Sequence, residues 1–120
     1  MSKAPASSEP PTENTGGKRR EQRRRVLLSG KLVHSVNELS ADCAIQDLSH
    51  AGARIRIAAE TLLADPLYLI NMSHGLAYKA HMAWRRDNRV GLMFTRHFDL
   101  KSQNDEAPKI LRRLWLEHVR

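Results

Sequence analysis

From Ala53 to Ile57 every second residue is apolar and the two between are arginines. A period of two fits only an extended strand with one face buried. Similar alternations recur along the chain. Val26, Leu28, Gly30 and Leu32 share one face of a first strand, and Ala41, Cys43 and Ile45 share one face of a second. Residues 67–72 make a fourth, bounded by Pro66 and the turn signal Ser73-His74-Gly75. Residues 77–84 make a fifth, with Tyr78, Ala80, Met82 and Trp84 on one side. After Arg86-Asp87-Asn88 a sixth carries Val90, Leu92 and Phe94. Short strands with regular turns predict a mainly β chain, an antiparallel barrel or sandwich.

The two ends read differently. Asn104-Asp105-Glu106 supplies capping and acidic first-turn residues, and Pro108 is tolerated in a first turn. Ala107, Ile110, Leu111, Leu114 and His118 then fall on one stripe with Trp115 at its edge, which predicts an amphipathic helix of about fourteen residues within 104–119. Residues 1–17 carry Pro5, Pro10 and Pro11 and no large aliphatic residue after Met1. They cannot bury enough apolar surface to offset ordering, so a disordered tail is expected. They also lack the apolar stretch of a secretory signal, and no apolar run approaches the roughly 20 residues of a membrane span. A cytoplasmic location is expected.

Net charge is +7, and its placement is informative. Residues 1–17 contribute −1, residues 18–25 contribute +5, and the other 95 residues only +3. The excess sits in Lys18-Arg19-Arg20-Glu21-Gln22-Arg23-Arg24-Arg25, a basic arm ahead of a barrel expected over 26–95. So focused a charge implies an anionic partner. Guanidinium groups bind phosphate oxygens bidentately and offer the same fork to the O6/N7 edge of guanine.

A second feature, Asp47-Leu48-Ser49-His50-Ala51-Gly52, lies between the second and third strands. Asp and Ser side chains can bond backbone amides two or three residues on and fix a turn. Gly52 can take φ > 0 and lets a ligand approach the backbone. The Asp47 carboxylate and Ser49 hydroxyl are expected to point outward. Taken alone, the segment reads as a mere hairpin connection.

Other chemistry is thinly represented. The six histidines show no ligand spacing with Cys, Asp or Glu, so no metal is expected. Ser49 and His50 are neighbours whose side chains diverge, which is no catalytic pair. No Gly-rich phosphate loop or nucleophile elbow occurs, so an enzyme is not expected. The single cysteine, Cys43, excludes an internal disulfide and reads as a small buried strand residue.

Arm and turn together resemble the PilZ domain family of bacterial cyclic-di-GMP receptors. That family's signatures are Arg-x-x-x-Arg before the first strand and Asp/Asn-x-Ser-x-x-Gly between the second and third. Here Arg20-Glu21-Gln22-Arg23-Arg24 matches the first and residues 47–52 the second. Ala83-Trp84-Arg85 and Val90-Gly91-Leu92-Met93-Phe94 are similar to the closing strands. The resemblance covers residues 18–120 and implies a six-stranded antiparallel β-barrel with a C-terminal α-helix.

It further implies a non-enzymatic receptor whose Arg20 and Arg24 contact the phosphates and guanine edges of cyclic di-GMP. Asp47 and Ser49 would hydrogen-bond guanine or an arginine, and Gly52 would hold the turn open. The arginine register stays open among Arg19/Arg23, Arg20/Arg24 and a stretched Arg20/Arg25 pair. Arg54 is a further candidate contact. Trp84 either stacks on a base or packs in the barrel core or against the helix. The output would pass to a partner protein. Two other functions share these features: a nucleic-acid-binding small barrel, and a PilZ-like adaptor that binds no nucleotide. Aromatic content of 5% gives the first a poor stacking platform.

Overall fold

Strands form where the alternation places them, and the computed structural model describes residues 24–35, 39–102 and 106–119. The expected tail, and Lys18 to Arg23 of the arm with Arg19, Arg20 and Arg23, lie outside the described residues. The strands are β1 Arg24–His34, β2 Ser40–Leu48, β3 Gly52–Arg56, β4 Leu67–Asn71, β5 Leu76–Arg86 and β6 Arg89–Asp99. All pairings are antiparallel, and the order β1-β2-β3-β6-β5-β4 closes into a barrel. Closure removes every sheet edge. β1 starts earlier than expected and takes in Arg24 and Arg25, which stand opposite Leu48 and Asp47. β6 runs past Phe94 to Asp99.

The inward positions make the interior. Leu32, Ile45, Ile55, Leu69, Ala80 and Val90 are buried there, with Tyr78 stacked on Phe94 at 4.1 Å. Burial holds the Tyr78 hydroxyl above its ordinary pKa. It also pushes the Cys43 thiol up to about 12, helped by the Asp42 carboxylate and opposed by Lys31. Cys43 packs against this core, as its place in the alternation predicts.

Bulges interrupt the alternation. On β5, Met82 stands opposite Leu92 and Trp84 opposite Gly91, so Ala83 is an extra residue. An inserted residue reverses the facing of everything beyond it. Met82 packs on the core, whereas Trp84 is 45% exposed on the outside. The expectation that Trp84 shares a side with Met82 is therefore corrected, and a core role for Trp84 is excluded. On β2 the same shift falls between Ile45 and Asp47, and on β1 between Arg25 and Leu28.

A second apolar cluster lies outside the barrel, where Val33, Ile70, Met72, Ala77, Phe98 and Leu100 meet the helix α1, Lys109–Val119. Ala107 and Leu111 are buried against them, with Ile110, Leu114 and Trp115 half-buried. The helix has 11 residues and begins after Pro108, so it is shorter than expected. Glu106 precedes it and lies 3.7 Å from Arg96. His118 is exposed and does not belong to the buried stripe. The Trp115 indole donates to the Met72 carbonyl at 3.1 Å. Its ring lies where a Cβ on Gly75 would sit, 2.7 Å away, and Gly75 also has φ 68°. Among the described residues no helix is long and apolar enough to cross a membrane.

Candidate functional site

The corner between β2 and β3 is tied by Ser49. Its hydroxyl accepts from the amides of Ala51 and Gly52, both at 3.2 Å, and donates to the Gly52 carbonyl at 3.3 Å. The Ser49 amide donates to the same carbonyl at 2.9 Å. This is the local turn expected of a Ser two residues before the fold-back. Gly52 serves differently from expectation. It is not among the positive-φ residues; a Cβ there would lie 2.1 Å from the Leu92 carbonyl oxygen. Glycine is needed because β3 and β6 approach closely, and the Phe94 amide donates to Ala51 across that junction at 2.8 Å.

His50 stacks on His97 with ring centroids 4.2 Å apart and planes 12° from parallel. The His97 Nε2–H donates to the His50 carbonyl at 2.7 Å. This second tie holds the corner to β6, and nothing in the spacing of residues 50 and 97 announces it.

Asp47 faces outward, but it is covered rather than open to solvent. It is only 4% exposed and forms an ion pair with the Arg54 guanidinium on the neighbouring strand. The β2 bulge makes this possible. Continued alternation from Ile45 would turn Asp47 into the barrel, and the inserted residue returns it to the outer surface beside Arg54. Arg54 Nε is buried without a hydrogen-bond partner among the described residues. A buried donor of that kind costs about 1–3 kcal/mol until it finds an acceptor.

Register places these residues in one line. Arg25 stands opposite Asp47, Asp47 opposite Arg54, Arg54 opposite Gly91, and Gly91 opposite Trp84. The line crosses β1, β2, β3, β6 and β5 on one flank of the barrel. Trp84 lies over Gly91, since a Cβ there would fall 2.1 Å from the indole Nε1. The next row holds arginines on β3, β6 and β5: Arg56 opposite Arg89, and Arg89 opposite Arg86. A cleft of about 400 Å³ lies among Arg54, Trp84, Arg85, Arg86 and Arg89.

The structure thus brings together Asp47, Ser49, Gly52, Arg54 and Trp84, and sets the strand positions of Arg24 and Arg25 beside them. The hairpin arginines 85, 86 and 89 and Arg56 escaped the sequence reading. Their charge was visible; the register that lines them up was not. Among the described residues no three His, Cys, Asp or Glu side chains cluster to hold a metal.

The flank can bind an anion bearing a planar group, by guanidinium forks and one indole face. The family model for the PilZ domain matches residues 17–107. Among solved structures, the crystal structure of the PilZ domain of CeSA from a cellulose-synthesizing bacterium is similar, at 13% identity and a TM-score of 0.46. That match covers 82% of this chain and 99% of the other. No curated protein matches the chain at a significant level.

Proposed function

The chain belongs to the PilZ domain family, and on that premise we propose that it is a cyclic-di-GMP receptor rather than an enzyme. PilZ domains are in general cyclic-di-GMP-binding modules. The reading rests on the cross-strand line of Asp47, Arg54 and Trp84, with β1 entering beside it at Arg24 and Arg25.

In this reading Arg20 and Arg24 hold the phosphates and guanine edges, with Arg19, Arg23 and Arg25 as neighbours in the same arm. Asp47 orients Arg54, whose buried Nε–H gains a ligand oxygen as acceptor. Ser49 ties the corner, and Gly52 lets β3 lie close on β6. Trp84 stacks on a guanine from the side opposite the arm. Each charge-assisted hydrogen bond is worth roughly 1.5–3 kcal/mol, and ordering the arm costs about 1–2 kcal/mol per residue. A surplus near 8 kcal/mol corresponds to micromolar affinity, which suits a signal that must be released. The ordered arm then presents a changed surface that a partner protein reads.

Calorimetry with cyclic di-GMP, with GMP and cyclic di-AMP as controls, tests this. Micromolar or tighter binding of cyclic di-GMP alone is expected, and Arg24→Ala abolishes it while leaving thermal unfolding of the free protein unchanged. Equal affinity for all three nucleotides, or no binding to the wild-type protein, refutes the assignment.

A further inference from the structure

Arg56, Arg89 and Arg86 occupy one row across β3, β6 and β5, and all three are exposed. Like charges placed directly opposite one another destabilise a sheet. No carboxylate among the described residues forms an ion pair with any of them. Asp87 stands between the strands in the hairpin turn, at φ 56°, and pairs with none of these guanidinium groups. Arg85 is engaged, donating to the Ala59 carbonyl at 3.0 Å. Beside the row, Trp84 and Met93 are exposed apolar side chains on the same two strands. The flank therefore combines a repulsive cationic strip with a strip of uncovered apolar surface, next to the nucleotide site but not within its signatures.

We propose that this row is a docking surface for an acidic, extended segment of a partner protein. Carboxylates of the segment seat on Arg56, Arg89 and Arg86. Adjacent strands are about 4.8 Å apart, so the row spans roughly 10 Å, and alternate side chains of an extended peptide repeat every ~7 Å. Flexible guanidinium groups bridge that difference and take carboxylates bidentately. Arginine is among the residues enriched in binding hot spots. A single-stranded nucleic acid fits less well, because successive bases need successive stacking platforms and the flank offers one indole. The inference needs only the row, of which Arg86 and Arg89 also border the cleft beside Trp84 while Arg56 lies outside it.

The test uses the full chain and a fluorescein-labelled peptide of repeated Glu-Leu-Glu-Gly. Controls are the same peptide with lysine for glutamate and a labelled oligothymidylate of equal charge. Anisotropy should rise to saturation at micromolar protein with the acidic peptide and stay flat with the lysine peptide. The double variant Arg86→Glu/Arg89→Glu should weaken it by about tenfold or more, and Arg86→Gln/Arg89→Gln by less. Both variants should melt no lower than the wild type, since each relieves the repulsion between facing arginines. Peptide binding indifferent to both substitutions overturns the proposal. So does tighter oligothymidylate binding lost in the same variant, which would make the row a nucleic-acid contact. Arg56→Gln, outside the cleft, should weaken peptide binding and leave cyclic-di-GMP affinity unchanged, and an equal loss of both overturns the proposal by moving the row into the nucleotide site. If the wild-type protein fails to bind cyclic di-GMP while the peptide results hold, the receptor reading falls and this one stands.

Discussion

Two stretches of the barrel's outer surface have been given opposite treatment. Under α1 the outward positions are Val33, Ile70, Met72, Ala77, Phe98 and Leu100, all sealed by the helix. On the β2–β3–β6–β5 flank they are Asp47, Arg54, Arg56, Trp84, Arg86 and Arg89, with no secondary-structure element over them among the described residues. Strand geometry is the same in both. What differs is who covers the surface: one side is finished by the chain itself, the other has the charge and aromatic surface of a side finished by something else. Stability and binding should then separate cleanly by location.

The largest expected effect is on the sealed side. Leu111 is fully buried between helix and barrel, so Leu111→Ala should cost about 2–5 kcal/mol in denaturant unfolding. Cyclic-di-GMP affinity, measured where the variant is still folded, should hold. Loss of binding without loss of stability would break the separation.

Next comes the junction between the two regimes. Gly52→Ala drives a Cβ into the Leu92 carbonyl and should cost about 1–3 kcal/mol or somewhat more. Here stability and binding should fall together, because the Ser49 turn and the β3–β6 contact share that residue. A variant of unchanged melting temperature would show that the strands can separate freely.

On the bare side the balance reverses. Trp84→Ala should shift unfolding by no more than about 0.5 kcal/mol. It should weaken cyclic di-GMP by about 1–3 kcal/mol, as one stacked base would lose its platform. Gly91→Ala should reproduce part of that loss by displacing the indole from above, and its tryptophan emission should move accordingly. Calorimetry and fluorescence on the same samples check both.

The last effect is a pH slope, confined to alkaline conditions. The Cys43 thiol, with an ordinary value of 9.0, is raised to about 12 in the native protein. Between those values the unfolded chain ionises and the native one holds its proton, so this contribution to stability is full below pH 9 and fades as pH rises toward 12. Cys43→Ala should flatten the decline in denaturant midpoint over that range. An unaltered slope would mean that the thiol is open to water.

Much of this was legible in the sequence. The alternation of Ala53, Ile55 and Ile57 placed β3, and the apolar stripe at 110, 111 and 114 found the helix, because both signals are local periodicities. The signature residues were legible because they sit on one turn. The bulges were not, since an inserted Gln46 or Ala83 leaves composition and hydrophobicity unchanged while reversing every side chain beyond it. Unbroken alternation would turn both Asp47 and Trp84 into the barrel, and only the inserted Gln46 and Ala83 set them on the outer face. The pairing of Asp47 with Arg54, and the row of Arg56, Arg89 and Arg86, depend on inter-strand register, which no single segment encodes.

Ala83 has an outsized consequence for so plain a side chain. Excising it would restore an unbroken ladder along β5 and swing the indole of residue 84 inward, toward a core already filled. Whether this scaffold can grip a flat aromatic molecule from outside would then hinge on the presence of one additional methyl-bearing residue, a switch that a single codon insertion or loss could throw.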